Sequence, residues 1–381
     1  MSNAPPGVPS DSLANRPAGD PTPPRPRPAG RFRLAWLGWV LAALIAVAFV
    51  WLQRGEWDAI TVAAREARRR YLVLAGLLQA GWLVVFGASF WAALRAVGVR
   101  LPFGRSLALA WSCNFVNMVV KTGGIGGMAL FIRAGARRGY PGSRVALGYL
   151  IEIFVGYAAF LVLLALALML LWLGGEIRRL EVIAAAGTFL VITLALGGLL
   201  ALLSVPARIE RVHRRVAGLL NRVARRFGRG PLLDAEGGSR LAAEASEVLA
   251  LVRARPVALL PVLALNAAWE VISVGVMFAV LLAFDAAPSL RLAVIAYTLT
   301  ILFSYVSIVP SGLGLVEVSL TALLLRWDVG AGAAALTAVV YRLYEFWTPF
   351  LVGALATRFA GTAPIPAVAS APSSPGAAEE G

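Results

Sequence analysis

The sequence predicts an all-α, polytopic membrane protein, with about six spanning helices and two glycine-broken re-entrant hairpins in inverted repeats. Three observations predict this class. The composition is 59% hydrophobic and 14% charged, with a mean hydropathy of +0.78, which lies outside the range of soluble domains. Eight apolar stretches divide the chain. Two of these stretches are short and end in glycine clusters.

Most of the eight stretches reach the ~20 residues that a helix needs to cross a bilayer core of about 30 Å. They are 34–52, 71–94, 106–120, 145–173, 182–203, 257–284, 292–309 and 333–357. The third and seventh are the short ones, so we expect them to enter the membrane, break and return.

Three domains follow from composition. Residues 1–30 hold nine prolines and few large apolar side chains, which predicts a disordered cytoplasmic tail. Residues 31–360 form the membrane domain, and 361–381 form a second disordered tail. Because the first apolar run follows Arg31 and Arg33 without a small-residue cleavage site, we interpret it as a retained anchor.

The segment 204–255 is the only long polar one, with eleven arginines against five acidic residues. An amphipathic pattern in its first part predicts a helix that lies in the interface of an anionic leaflet. The apolar positions of that helix are Ile209, Val212, Val216, Leu219 and Val223. The arginines cluster beside apolar segments, so the net charge of +15 indicates anionic lipid partners and no nucleic acid.

Metal and cofactor chemistry have no support in the sequence. His213, the only histidine, lies in the basic run, and we expect it to be solvated. No Cys/His cluster exists to bind a metal, and we predict no cofactor.

Charge distribution decides between topologies. If all eight stretches crossed, the arginines around Arg133 and the basic segment 204–255 would both lie outside, against the positive-inside rule. If instead the third stretch breaks at 122–127 and returns as a short helix over 128–133, these basic loops are cytoplasmic. The seventh stretch then breaks at 310–314 and returns over 315–326 from the outer face. Both termini are predicted to be cytoplasmic, at a bacterial inner membrane.

An internal repeat supports this scheme. Gly142, Glu152 and Tyr157 follow the first hairpin with the spacing at which Gly332, Arg342 and Trp347 follow the second. Three crossings between the hairpins would give the halves opposite orientation, as in many secondary transporters. The alternative is that glycine-rich apolar stretches align by chance.

The two breaks carry the predicted substrate site, because non-helical backbone at membrane depth must line a cavity or be buried in protein. At the first break, Asn114, Asn117 and Lys121, the only lysine, share one helical face. The backbone there is predicted to contribute Gly123, Gly124, Gly126 and Gly127. At the second break the predicted site residues are Pro310, Gly312, Gly314 and Glu317.

The remaining predicted site residues are the intramembrane charges Glu152, Arg342 and Glu345, with Asn266 and Glu270 as a weaker candidate face. Charges in hydrocarbon are costly, so these groups should face one another or a wet cavity. Arg342 and Glu345 can pair within one helix. Glu152 has no partner in its own helix, so we expect a cross-helix partner, Lys121 or Arg342.

These motifs resemble the membrane region of lysylphosphatidylglycerol synthases and its stand-alone, flippase-like relatives. The resemblance rests on 117–127, on the helix with Glu152, on 310–317 and on 341–347, and spans about 34–358. It implies lipid translocation or lipid handling, and some members are linked to hopanoid biosynthesis. The bifunctional synthases also carry a soluble aminoacyltransferase domain, which we do not expect here because the sequence ends soon after the last apolar stretch.

The leading hypothesis is an integral inner-membrane lipid transporter, flippase-like, that moves or handles a lipid with an anionic or polar head group. Two alternatives remain open. One is a membrane-embedded enzyme that acts on a lipid-linked substrate, although no aspartate-rich metal motif, Ser/His/Asp set or P-loop is present. The other is a noncatalytic partner in lipid or hopanoid metabolism, which recruits a protein through 204–255.

Overall fold

A computed structural model of the chain describes residues 57–119, 124–175, 179–203, 205–226, 237–307, 312 and 314–359. The predicted anchor at 34–52 and both predicted tails lie outside these residues. The regular elements of the described chain are helices, in agreement with the predicted all-α class. They are α1 (Trp57–Glu66), α2 (Arg69–Ala96), α3 (Phe103–Val119), α4 (Ile125–Ala136), α5 (Gly142–Leu173), α6 (Arg179–Leu203), α7 (Pro206–Arg226), α8 (Gly237–Ala254), α9 (Leu260–Ala283), α10 (Leu290–Val306), α11 (Leu315–Leu325), α12 (Ala331–Arg342) and α13 (Thr348–Phe359).

Four stretches of the described helices are long and apolar enough to cross a membrane: Arg69–Ala96, Gly142–Leu173, Glu181–Leu199 and Pro256–Ala283. A fifth helical run, α12 to α13, is interrupted by a π-helical turn at Leu343–Trp347. The chain is therefore a multi-pass membrane protein. Large apolar side chains on the outer faces of these helices are exposed, for example Val162, Val191 and Val271, as contact with lipid requires.

Two short helical hairpins, α3–α4 and α10–α11, match the predicted breaks. Their second helices begin after Gly124 and Gly314, whose φ values of 90° and 84° lie in the left-handed region that glycine adopts readily. The helix α4 begins at Ile125, earlier than the predicted 128, because Gly126 and Gly127 are helical and bring α4 close to α3.

The two halves repeat in register. The separation between Gly124 and Gly314 in sequence equals that between Gly142 and Gly332. The packing repeats as well: α3 contacts α13, and α10 contacts α5, so each hairpin packs on the helix that follows the other hairpin. Between the halves, α2 packs along α9 over most of its length.

Contacts at one end of the bundle join the first hairpin to the basic segment. Arg144, at the start of α5, forms an ion pair with Glu247 on α8. The backbone N–H of Arg100, just before α3, donates to the Tyr140 hydroxyl, just after α4, at 3.2 Å. Both ends of the first hairpin therefore lie at the same end of the bundle as α8.

The opposite end holds both ends of the second hairpin. Arg68, before α2, pairs with Asp285, before α10, at 3.1 Å. Arg326, after α11, pairs with Glu181 on α6 at 2.6 Å. The first hairpin opens at the end that carries α7 and α8, and the second hairpin opens at the other.

The helix α7 has two apolar faces. Ile209, Ala217 and Ala224 are buried, and α7 packs against α8. Val212 and Leu219 are 41% and 59% exposed. The sequence places Ile209 on the lipid-facing side, and the structure corrects this position, because α8 covers that part of α7.

Candidate functional site

A cavity of about 240 Å³ lies between the two halves. Its walls come from α2, α3, α5, α9, α10, α12 and the π-helical turn. We call this cavity the central chamber. The polar side chains that line it are Gln79, Asn114, Asn117, Glu152, Tyr157, Glu270, Ser273, Tyr297, Ser304, Tyr305, Tyr341 and Glu345.

Glu152 lies on α5 and is only 1% exposed. The Ser89 hydroxyl on α2 donates to its Oε1 atom at 2.8 Å. Ser89 can instead donate to the Phe86 carbonyl, at 2.9 Å. Within the part of the chain that the structure describes, Glu152 has this hydroxyl as its hydrogen-bond partner and no cation.

Glu270 lies across the chamber on α9. The Tyr297 hydroxyl on α10 donates to its Oε2 atom at 2.8 Å. Glu270 therefore lines the chamber, as Glu152 does. Tyr297 positions the carboxyl group of Glu270, and the sequence did not indicate this role.

Arg342 is 2% exposed and forms a buried triad at the second break. Its Nε atom lies 2.9 Å from Oε1 of Glu317, and its Nη1 atom lies 2.5 Å from Oε2 of Glu345. The other oxygen of Glu317 accepts the backbone N–H of Gly314 at 2.7 Å, so the same carboxylate caps the start of α11. The predicted local pair of Arg342 and Glu345 is confirmed.

The predicted pairing of Glu152 with Arg342 is wrong. Arg342 is engaged by Glu317 on α11, which packs directly against α12, and by Glu345 one turn further along its own helical run. Lys121, the other predicted partner of Glu152, lies outside the described residues.

Side chains also form hydrogen bonds with the polar backbone groups of the first break. Asn117 accepts the backbone N–H of Gly127 at 3.3 Å, and its amide donates to the Tyr149 hydroxyl at 3.3 Å. The Tyr149 hydroxyl in turn donates to the Gly124 carbonyl at 3.2 Å. These bonds pair polar groups that would otherwise be costly at membrane depth.

The predicted site residues separate into three groups. Asn114, Asn117, Glu152 and Glu345 line the chamber. The residues of the second group form or stabilise the two breaks but do not line the chamber. They are Gly124, Gly126, Gly127, Gly312, Gly314, Glu317 and Arg342. The third group, Lys121, Gly123 and Pro310, lies outside the described residues.

Aromatic rings form much of the remaining wall. Trp82 stacks on Phe86 with centroids 5.1 Å apart, and its ring meets the edge of Trp269 at 5.5 Å. Tyr157 and Tyr305 form an edge contact at 5.9 Å. A polar ligand in the chamber would therefore lie between apolar or aromatic surfaces and a few carboxyl and amide groups, which is the usual construction of a ligand site.

The described residues hold no group of three His, Cys, Asp or Glu side chains placed to bind a metal ion. Among the residues that line the chamber there is also no serine–histidine pair, since the only histidine, His213, lies on α7.

A family model described as the lysylphosphatidylglycerol synthase TM region matches residues 38–353. The match covers both hairpins, the basic segment and every described wall of the chamber. No curated protein matches the chain.

Proposed function

The chain belongs to the lysylphosphatidylglycerol synthase TM region family, and we propose that it is a flippase-like transporter that moves a lipid with a polar head group across the inner membrane. The head group occupies the central chamber during transfer. The acyl chains remain in the surrounding bilayer.

The observation that carries this proposal is the position of the chamber. It lies between two repeats whose hairpins open toward opposite ends of the bundle. Transporters with inverted repeats bind their substrate at the repeat interface, next to broken helices. The chamber of this protein occupies that place and is lined by three carboxyl groups.

The size of the chamber supports transfer of a head group and not of a whole lipid. A cavity of about 240 Å³ is slightly smaller than the ≈ 300–1,000 Å³ of typical small-molecule pockets. This volume accommodates a compact polar group. We propose that the acyl chains pass along the outside of the bundle.

The topology that we propose places the end with α7 and α8 in the cytoplasm. The segment 204–255 has eleven arginines in its sequence, and short basic segments remain in the cytoplasm. The hairpins α3–α4 and α10–α11 then re-enter from the cytoplasmic and outer faces, and both termini are cytoplasmic. The exposed Val212, Val216 and Leu219 of α7 contact the inner leaflet, and the arginines beside them bind anionic lipid head groups.

We propose that Lys121, which lies outside the described residues, is a cation that binds a phosphate of the head group. Lys121→Ala is expected to abolish transport if the transported lipid is anionic. Transport of phosphatidylglycerol at the wild-type rate by this variant would remove Lys121 from the mechanism.

Transport is tested by reconstitution into liposomes that contain fluorescent NBD-phosphatidylglycerol or NBD-phosphatidylethanolamine, with dithionite as the impermeant quencher. We expect the wild-type protein to expose inner-leaflet probe faster than protein-free liposomes do. Ser304→Trp fills the chamber and should abolish this activity. The same substitution at Val191, which is 66% exposed on α6, should preserve it.

If wild-type protein moves neither probe faster than protein-free liposomes, the proposal is contradicted. Equal rates for Ser304→Trp and wild type would show that lipid moves by a route other than the chamber.

We also propose that the chain acts without catalysis, and that any protein partner binds through 204–255. Formation of a modified lipid when the purified protein is incubated with polyprenyl or hopanoid precursors would contradict the first of these proposals.

A further inference from the structure

We propose that Glu152 and Glu270 are proton-binding sites that couple movement of the lipid head group to a proton gradient. This inference rests on the proposed transport function. It concerns the energy source of that function, and the chamber residues carry it through four observations.

The first observation is the kind of partner that each carboxyl group has. Glu152 accepts a hydrogen bond from Ser89, and Glu270 accepts one from Tyr297, each at 2.8 Å. Both donors are neutral hydroxyls. No described cation lies within ion-pair distance of either carboxyl group.

The second observation is the contrast with the third carboxyl group of the chamber. Glu345 lies 2.5 Å from a nitrogen of Arg342, and Glu317, behind it, shares the same guanidinium. The protein therefore provides a buried cation for the acidic groups at the second break. It provides none among the described residues for Glu152 and Glu270.

The third observation is an unpaired donor in the same chamber. Gln79 lines the cavity, is 4% exposed, and its Nε2 atom has no hydrogen-bond partner. A buried amide donor without a partner is costly unless a ligand or water fills the site. The chamber is thus built to receive a group with an oxygen acceptor, next to two carboxyl groups that can hold protons.

The fourth observation is the set of groups that face the two carboxyls. Glu152 faces Cys113 on α3, Tyr149 and Tyr157 on its own helix, and Tyr305 on α10. Glu270 faces Tyr297 and Tyr305 on α10 and Tyr341 on α12. The triad of Glu317, Arg342 and Glu345 contains two carboxyl groups and one guanidinium, so it has no positive charge left to compensate Glu152 or Glu270. Cysteine and tyrosine are neutral near pH 7, so these neighbours do not compensate a negative charge on Glu152 or Glu270.

Ionised carboxylates without counter-ions are costly at membrane depth, and acidic groups in such positions mark proton relays in transporters. Protonation of Glu152 and Glu270 removes both uncompensated negative charges, so the empty chamber can change its access from one face of the membrane to the other. When a head group is bound, its hydroxyl or ammonium donors pair with the ionised carboxylates, so the loaded chamber can change its access without these protons. Each cycle therefore moves the head group in one direction and protons in the other.

Proton binding is tested without a lipid substrate by infrared difference spectroscopy of the full chain in liposomes of phosphatidylethanolamine and phosphatidylglycerol. We expect a protonated carboxylic acid band that titrates with pH. Glu152→Gln and Glu270→Gln should each remove part of this band. Glu247→Gln, at the exposed ion pair with Arg144, should leave it unchanged.

Lys121 lies outside the described residues and follows the chamber-lining Met118 by three positions in sequence. Its variant decides whether it is a counter-ion. Under the proposal, Lys121→Gln leaves the infrared band unchanged. If the wild-type protein lacks the band and Lys121→Gln creates it, Lys121 neutralises Glu152 and the proposal is overturned.

Coupling is tested by imposing a pH gradient on the NBD-lipid liposomes. Each coupled proton can change the limiting ratio of probe between leaflets by up to about tenfold per pH unit. The wild-type ratio should follow the gradient, and Glu152→Gln or Glu270→Gln should reduce that response. Lipid movement that ignores the gradient would overturn the coupling but preserve transport, whereas absence of lipid movement in wild type would contradict the transport function itself.

Discussion

Arg342 lies between two carboxylates at a depth where a lone charge is costly. Its guanidinium contacts Glu317 and Glu345, and its side chain is 3% exposed. Removal of one member of a buried ion pair typically costs about 3–5 kcal/mol, because the other charge stays buried without compensation. We therefore expect Arg342→Gln to lower the free energy of unfolding by about 3–5 kcal/mol, measured by denaturation in mixed detergent micelles.

The matched control is the exposed ion pair between Arg68 and Asp285, whose side chains are 46% and 65% exposed. Arg68→Gln should cost only about 0–1 kcal/mol. Similar losses for Arg342→Gln and Arg68→Gln would mean that the triad at the second break does not hold the fold together.

The sequence predicts the pair of Arg342 with Glu345, because a spacing of three residues on a helix brings side chains together. The sequence does not predict the hydrogen-bond donors of Glu152 and Glu270. Ser89 and Tyr297 lie on other helices and carry ordinary hydroxyls, so their roles depend on which helix faces meet. For the same reason the predicted ion pair of Glu152 with Arg342 was wrong, because the sequence does not show which helices pack against each other.

The first hairpin depends on a glycine for its close helix packing. A Cβ atom at Gly127 would lie 2.0 Å from Sγ of Cys113 and 2.9 Å from the amide nitrogen of Asn117. Gly127→Ala therefore forces the Cys113 side chain to change its rotamer or α4 to move away from α3, at a cost of about 1–3 kcal/mol. We expect a lower melting temperature in detergent and a loss of lipid transport.

Two variants check this explanation. Cys113→Ala combined with Gly127→Ala removes the atom that clashes and should recover part of the stability. Gly198→Ala, on α6 with open space around it, should leave the melting temperature unchanged or raise it. No recovery in the double variant would contradict the clash with Cys113 as the cause.

The glycine clusters predict the hairpin breaks because left-handed backbone is readily available only to glycine, and Gly124 and Gly314 adopt it. The start of α4 is less predictable. Gly126 and Gly127 appear in the sequence as part of a loop, but tertiary contact with α3 favours small helical residues there. Local propensity alone cannot distinguish these two uses of glycine.

At the scale of the whole molecule, hydropathy and the repeat of Gly142 and Gly332 predict the spanning helices and the two halves. The chamber itself is not predictable in this way. Helices that are apolar on every side give no periodic signal to show which face turns inward, so Gln79, Trp82 and Trp269 could not be identified as wall residues. Their positions follow from the packing of α2 along α9.

The central claim is that two hairpins enter the membrane from opposite faces and enclose the chamber. The most direct test is reaction of single cysteines with a membrane-impermeant maleimide in right-side-out and inside-out vesicles, in a Cys113→Ala background. Ala136→Cys and Ala243→Cys should react only from the cytoplasmic face, and Ala287→Cys and Asp328→Cys only from the outer face. Reaction of Ala136→Cys and Asp328→Cys from the same face would contradict the account.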